Sequence, residues 1–109
     1  MIEKIKNEDV DYLLEAFMSL ENINEFYDFF DDICTVAEVI EMSKRLKAAK
    51  MLNGGVVYNE ISETTGLSTA TISRVNRCLK YGSGGYNIVF DRLDRLDRLE
   101  KIENENESK

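Results

Sequence analysis

The feature that most constrains this chain is the stretch 58–81, YNEISETTGLSTATISRVNRCLKY, in which a single glycine separates two helical patterns. Gly66 is the pivot. A tight turn after a helix calls for left-handed backbone, which glycine adopts without a Cβ clash. Ile61 and Thr65 precede it at helical spacing, and Leu67, Ile72 and Val75 follow it, so these side chains can close a small core between two crossing helices. Ser62 is small enough for the helices to approach closely. Ser68 or Thr69 can cap the second helix by accepting a hydrogen bond from an orphan N–H. Helices are therefore expected over 57–65 and 68–81. Thr69, Ala70, Thr71, Ser73 and Arg74 then stand near the exposed N-terminal end of the second helix. Short hydroxyl and methyl side chains there suit contacts to base edges and phosphates. An ordinary helical hairpin with a glycine turn would share the pattern, and charge separates the two readings.

The 109 residues carry 14 basic and 21 acidic side chains, a net charge of −7 that argues against nucleic acid when taken whole. Its distribution reverses that argument. Residues 1–41 carry net −10, residues 42–81 net +5 and residues 82–109 net −2. The positive segment is the hairpin with the helix before it, through Lys44, Arg45, Lys47, Lys50, Arg74, Arg77 and Lys80. Cations clustered on a duplex release counterions and supply salt-dependent affinity. The acidic remainder holds non-specific binding down wherever it faces the phosphates.

A chain of 109 residues reads as one domain. It has no Pro, Trp or His, and no apolar run nears the roughly 20 residues of a membrane span. The first ten residues are charged and lack the apolar segment of a signal peptide, so a cytoplasmic location is expected. Cys34 and Cys78 are isolated, without metal-ligand spacing, and read as small core or near-core filler. Without histidine, and with the 82–85 GSGG run lacking the lysine and preceding strand of a phosphate loop, catalysis has little to work with. No metal or cofactor is expected.

The periodicity elsewhere is helical, so the fold class is all-α. Val10, Leu13, Leu14, Phe17 and Met18 mark one face of a first helix over 7–20, with Glu8, Asp9, Asp11 and Glu15 mostly on the other. A second helix over 24–32 holds Phe26, Tyr27, Phe29 and Phe30, which cover more than one face. A lone chain of this size has trouble burying them all, which points to a subunit interface; a crowded monomer core with one exposed ring is the alternative. Thr35 and Glu38 form a capping box that starts a long helix to about residue 53, with Val36, Val39, Ile40, Met42, Leu46, Ala49 and Leu52 expected on its buried side. Gly54-Gly55 ends it. A closing helix is expected over 86–103, where the DRLDRLDRL run has acid-to-base pairs at i, i+4, followed by a frayed tail over 104–109. The domain thus divides into N-terminal dimerisation helices over 7–53, the helix-turn-helix over 57–81 and the closing helix.

The run from Thr35 to Lys80 resembles the Trp repressor family, in particular its YerC/YecD branch of small regulators. The residues that carry the resemblance are Thr35, Arg45, Leu52-x-x-Gly55, Glu60-Ile61, Gly66 and the segment Ser68-Thr69-Ala70-Thr71-Ile72-Ser73-Arg74. It implies a six-helix subunit with a helix-turn-helix, interlocked with a second copy through the N-terminal helices. It also implies two recognition helices about one turn of DNA apart on a near-palindromic operator. Family DNA contacts fall here on Tyr58, Asn59 and Ser62, then Thr69, Ala70, Thr71 and Ser73. Arg74, Arg77, Lys80 and Lys50 would supply phosphate affinity, and Ser68 the helix cap. The arginine pair that sandwiches tryptophan in the founding member, with a threonine beside it, corresponds to Arg45, Arg74 and Thr35. Val75 departs from the pattern: it stands where the founding member has glycine lining the indole site, and its added volume disfavours a ring there. Cys78 likewise replaces a hydroxyl near the ligand's amino group. The expectation is a dimeric transcription regulator that binds double-stranded DNA without tryptophan as co-repressor. The alternatives are an acidic helical protein-interaction module, or a repressor sensing a small amino acid through Arg45 and Arg74.

Overall fold

The computed structural model describes residues 2–107. They form α1 (Ile2–Ile5), α2 (Glu8–Met18), α3 (Ile23–Ile33), α4 (Val36–Asn53), α5 (Tyr58–Thr65), α6 (Thr69–Tyr81) and α7 (Gly85–Glu107), with no strand among the described residues. Six of these answer to the six expected helices, and α1 is an additional single turn. Contacts divide the chain into two compact units, Met1–Ile40 and Glu41–Lys109.

Within the first unit, asparagines set the helix starts. Asn7 accepts from Val10 N–H at 2.9 Å and Asn22 accepts from Glu25 N–H at 3.0 Å, satisfying donors that the first turn leaves orphaned. Phe17 of α2 packs against Phe26, Phe29 and Phe30 of α3, with ring centroids 6.4, 5.3 and 5.5 Å away. These rings stay only half-buried, Tyr27 is 71% exposed, and neither α2 nor α3 has a fully buried residue. An open cleft in this unit is lined by Tyr27, Phe30, Cys34, Val36, Val39 and Ile40, among others.

The capping box that opens α4 forms as its spacing requires. Thr35 N–H donates to Glu38 Oε1 at 2.8 Å, and Glu38 N–H donates to Thr35 Oγ1 at 3.2 Å. These bonds hold the Glu38 carboxyl below its ordinary value of 4.5. A folded-state pKa that is lowered means a stabilisation present above 4.5 and lost as pH falls through the folded value. Circular dichroism on acidification should therefore show a shallow loss of helix below that pH, and Glu38→Gln should remove this component.

Along α4 the expected buried side needs correction. Ala49 is buried as expected, but its partner is Ala48; Val39 and Leu52 are half-buried, and Val36, Ile40, Met42 and Leu46 are exposed. The apolar residues wind round more than one face, and within one chain only the alanine side, where the backbone can be approached closely, is covered. The helix ends in a two-bond glycine cap: Gly55 N–H bonds Leu52 O at 3.0 Å and Val56 N–H bonds Met51 O at 3.0 Å, with Gly55 at φ 80°.

The core of the second unit is Ala48, Ala49, Ile61, Leu67, Ile72 and Val75, with Met51, Leu52, Val56, Tyr58, Tyr86 and Phe90 packed around it. Cys78 is exposed, against the expectation of a core or near-core filler; Cys34 is half-buried. Ile72, Val75 and Leu79 define the inward stripe of α6, and Cys78 falls about 100° away from Leu79 on the wheel, off that stripe. The closing helix is longer than expected. It runs through 104–107, where a frayed tail was expected, helped by acid–base spacing such as the Asp97–Lys101 pair at 3.4 Å. The tail's last positions, 108–109, lie outside the described residues.

Candidate nucleic-acid interface

The hairpin α5–α6 is assembled from the turn outward. Gly66 ends α5 at φ 76°, its N–H bonding Ser62 O at 2.8 Å. The next residues close the turn through side chains. Thr65 Oγ1 donates to Ile61 O at 2.7 Å and accepts from Leu67 N–H at 3.2 Å, so its buried hydroxyl is satisfied in both directions. Ser62 Oγ donates to Leu67 O at 2.7 Å. Ile61, Thr65, Leu67, Ile72 and Val75, the residues expected to close the hairpin core, are all buried.

Ser68 is the cap of α6. Its Oγ accepts from Thr71 N–H at 3.2 Å and lies 3.0 Å from Thr71 Oγ1, to which it donates. The Thr71 oxygen is thereby an acceptor, and its own proton remains available to a further acceptor such as a base edge. Thr69, Ala70, Ser73 and Arg74 are exposed around the first turns of α6, with Thr71 half-buried among them. Arg77 and Lys80 continue as exposed cations along the helix; Lys80 in the last turn also suits the negative end of the helix dipole. On α5, Asn59 is exposed and Tyr58 is half-buried against the core. Ser62 is half-buried and its proton is committed to the turn, so it braces Leu67 as well as lying on the expected contact side.

The residues matched to a ligand site are each otherwise engaged or open. Thr35, in the first unit, is the α4 cap. Arg45 pairs with Glu41 one turn back, Nε to Oε1 at 3.4 Å. Arg74 is exposed, and Val75 beside it fills the core at 3% exposure. Two side chains take places that the sequence reading did not give them. Lys44 brings its ammonium to the hairpin turn: a β-carbon on Gly66 would lie 3.9 Å from Lys44 Nζ, near the carbonyl end of α5. Tyr86, stacked on Phe90 with centroids 6.1 Å apart, is half-buried against the core. Burial raises its phenol above the ordinary value, Cys78 adds to the rise, and Arg45 offsets part of it. Its signal in the sequence was an aromatic pair at i, i+4 just after the glycine break.

An all-α chain with a glycine-pivoted hairpin, a capped second helix and cations along that helix defines a helix-turn-helix protein. Comparison with known proteins makes the class specific. The family model for Trp repressor protein matches residues 8–94, and the chain belongs to the Trp repressor family, whose members are DNA-binding regulators rather than enzymes. It is 45% identical over 92 residues to YerC of Bacillus subtilis, itself uncharacterized, covering 84% of this chain and 88% of that protein. Among solved structures, a TrpR-like protein from Eubacterium eligens superposes with a TM-score of 0.81 at 50% identity, covering 84% of this chain and 95% of the other. A candidate Trp repressor from Staphylococcus aureus does so with 0.82 at 46% identity, covering 86% and 94%. No helix among the described residues is long and apolar enough to cross a membrane.

Proposed function

We propose that this protein is a sequence-specific, DNA-binding transcription regulator that acts as a homodimer and does not use tryptophan as co-repressor. The observation that carries the reading is the exposed start of α6, where Thr69, Ala70, Thr71, Ser73 and Arg74 surround a capped helix end on a turn braced by side-chain hydrogen bonds. The α6 N-terminus enters the major groove. Thr71 donates its hydroxyl proton to a base acceptor, Ala70 offers a methyl to thymine, and Thr69 and Ser73 hydrogen-bond base edges or sugar-phosphate. Tyr58 and Asn59 at the start of α5 reach the flanking backbone, while Arg74, Arg77, Lys80 and Lys50 neutralise phosphates. Ser68 holds Thr71 and Ser62 holds the turn.

The dimer reading rests on the first unit. Half-buried Phe17, Phe26, Phe29 and Phe30, the open apolar cleft beside Tyr27 and the uncovered Val36 and Ile40 make a surface that a second copy would bury. Two α6 helices one duplex turn apart then read a near-palindrome, and the protein occludes or recruits at a promoter. Val75, packed in the core, occupies volume that the family's indole site leaves open.

The test is selection of genomic fragments by the purified chain at physiological salt, with and without L-tryptophan. Enrichment of one near-palindrome in both conditions is expected. Dependence on tryptophan would overturn the effector-independent reading, and no enrichment in either would shift weight to a protein-interaction role. On the selected operator, Thr71→Ala should cost about 1–3 kcal/mol at one base pair and leave the other positions unchanged. Parallel binding curves for all single-base operator variants would show that Thr71 reads no base.

A further inference from the structure

Among the described residues, Lys44 is the one lysine that is half-buried rather than exposed. Its place follows from the spacing along α4. Lys44, Ala48 and Met51 fall on one stripe of that helix, at i, i+4 and i+7. Ala48 is fully buried and Met51 packs on the core, so this stripe faces α5 and α6. Lys44 therefore runs toward the hairpin, and its Nζ ends at the turn, 3.9 Å from where a β-carbon on Gly66 would stand. Lys47 and Lys50 of the same helix are exposed.

A half-buried ammonium loses solvation, and an opposite charge must offset the loss. Lys44 is in no ion pair among the described residues. What lies beside it is the carbonyl end of α5. The last carbonyls of a helix lack partners within it and leave that end partly negative. The last turn of α5 has no basic residue, and Glu63 there adds to the negative charge. Lys44 supplies from α4 the cation that α5 does not carry itself.

We infer that Lys44 is a positioning residue for DNA recognition: its ammonium pins the carbonyl end of α5 to α4 and so sets the angle at which α6 enters the groove. The inference rests on the DNA reading above and adds a residue that touches no DNA. Ala48 and Ala49 let the helices approach closely but offer no long side chain to resist rocking of the hairpin. Lys44 is a second point of attachment one turn away from them. From Gly66 the constraint passes to the start of α6 through Leu67 and Ser68, whose hydrogen bonds hold the turn. Rocking would move the short Thr71 side chain off its base, while the long Arg74 and Arg77 side chains still reach phosphates. Discrimination is then lost before general affinity.

The test uses three variants of the full chain. Lys44→Met keeps most of the length and removes the charge, Lys44→Arg keeps the charge, and Lys47→Met removes an exposed charge from the same helix. Residue-resolved amide exchange of the free chain comes first. The Gly66 and Leu67 N–H groups should exchange about two- to fivefold faster in Lys44→Met, the range for losing a cation at a helix C-terminus. They should keep the parent rate in Lys44→Arg and Lys47→Met. On DNA, the ratio of operator to random-duplex affinity should fall by about two- to fivefold per subunit in Lys44→Met and hold in Lys44→Arg, with the salt slope unchanged. Unchanged exchange in Lys44→Met would overturn the pinning. Faster exchange with an unchanged affinity ratio would overturn the part in recognition and leave only a stabilising contact. Equal weakening on both duplexes, with a slope lower by about 2 per dimer, would make Lys44 a phosphate contact instead. The exchange comparison uses no DNA, so failure of the pinning and failure of the DNA reading are told apart.

Discussion

Replacing Ile72 with alanine should destabilise the second unit by about 2–5 kcal/mol, the range for emptying a fully buried aliphatic site that relaxes only partly. Ile72 and Ile61 are both fully buried, and among the described residues six apolar side chains make up this unit's buried core. Few neighbours can move to fill the void, so the upper half of the range is expected. Against a typical domain stability of about 5–15 kcal/mol, that is a large share. The side chain does more than fill volume, because Ile72 on α6 and Ile61 on α5 fix the separation of the two hairpin helices. Urea denaturation followed by circular dichroism checks the prediction, with exposed Thr64→Ala as a control expected within about 0.5 kcal/mol of the parent. Equal midpoints for the two variants would show that the hairpin core does not hold this unit together.

The same local logic explains why the hairpin could be read from sequence and other parts could not. Gly66, Thr65, Leu67 and Ser68 act within one or two turns of chain: a left-handed residue, a hydroxyl bonded both ways and a serine cap are decided by neighbours. The Thr35–Glu38 box was legible for the same reason. Along α4, periodicity shows which residues are apolar without showing which are covered. Val36, Ile40, Met42 and Leu46 read as buried and are exposed in the single chain, because coverage depends on what packs there and the pattern serves more than one face. Cys78 failed likewise, since its burial turns on what lies beside the inward stripe of α6. Lys44 was counted as a basic-cluster member, but its place at the Gly66 turn arises from tertiary packing. Of the expected site, Thr69, Ala70, Ser73 and Arg74 lie open as the helical spacing required, while Ser62 carries a turn bond that spacing does not encode.

Removing two cations from α6 should change binding in a way that removing a base contact cannot. In the homodimer proposed above, Arg74→Ala and Arg77→Ala combined would remove two phosphate partners per subunit and four per dimer. The slope of log affinity against log salt should then fall in magnitude by about 3–4. Arg74 and Arg77 are exposed one turn apart on the helix proposed to enter the groove, and neither guanidinium is in an ion pair among the described residues. Their loss should weaken operator and unrelated DNA by a similar factor, because phosphates carry no sequence information. Stability should hardly move, as neither side chain is in the core. Thr71→Ala should do the reverse, leaving the slope alone and altering preference at one position. Titrations of operator and random duplex at several salt concentrations separate these signatures. An acidic chain with net charge −7 that still showed a steep salt slope would be using the net +5 segment against a duplex, since its overall field opposes DNA. A slope unaffected by losing both arginines would place the phosphate contacts elsewhere, with Lys44, Lys47 and Lys50 on α4 the next cations to remove.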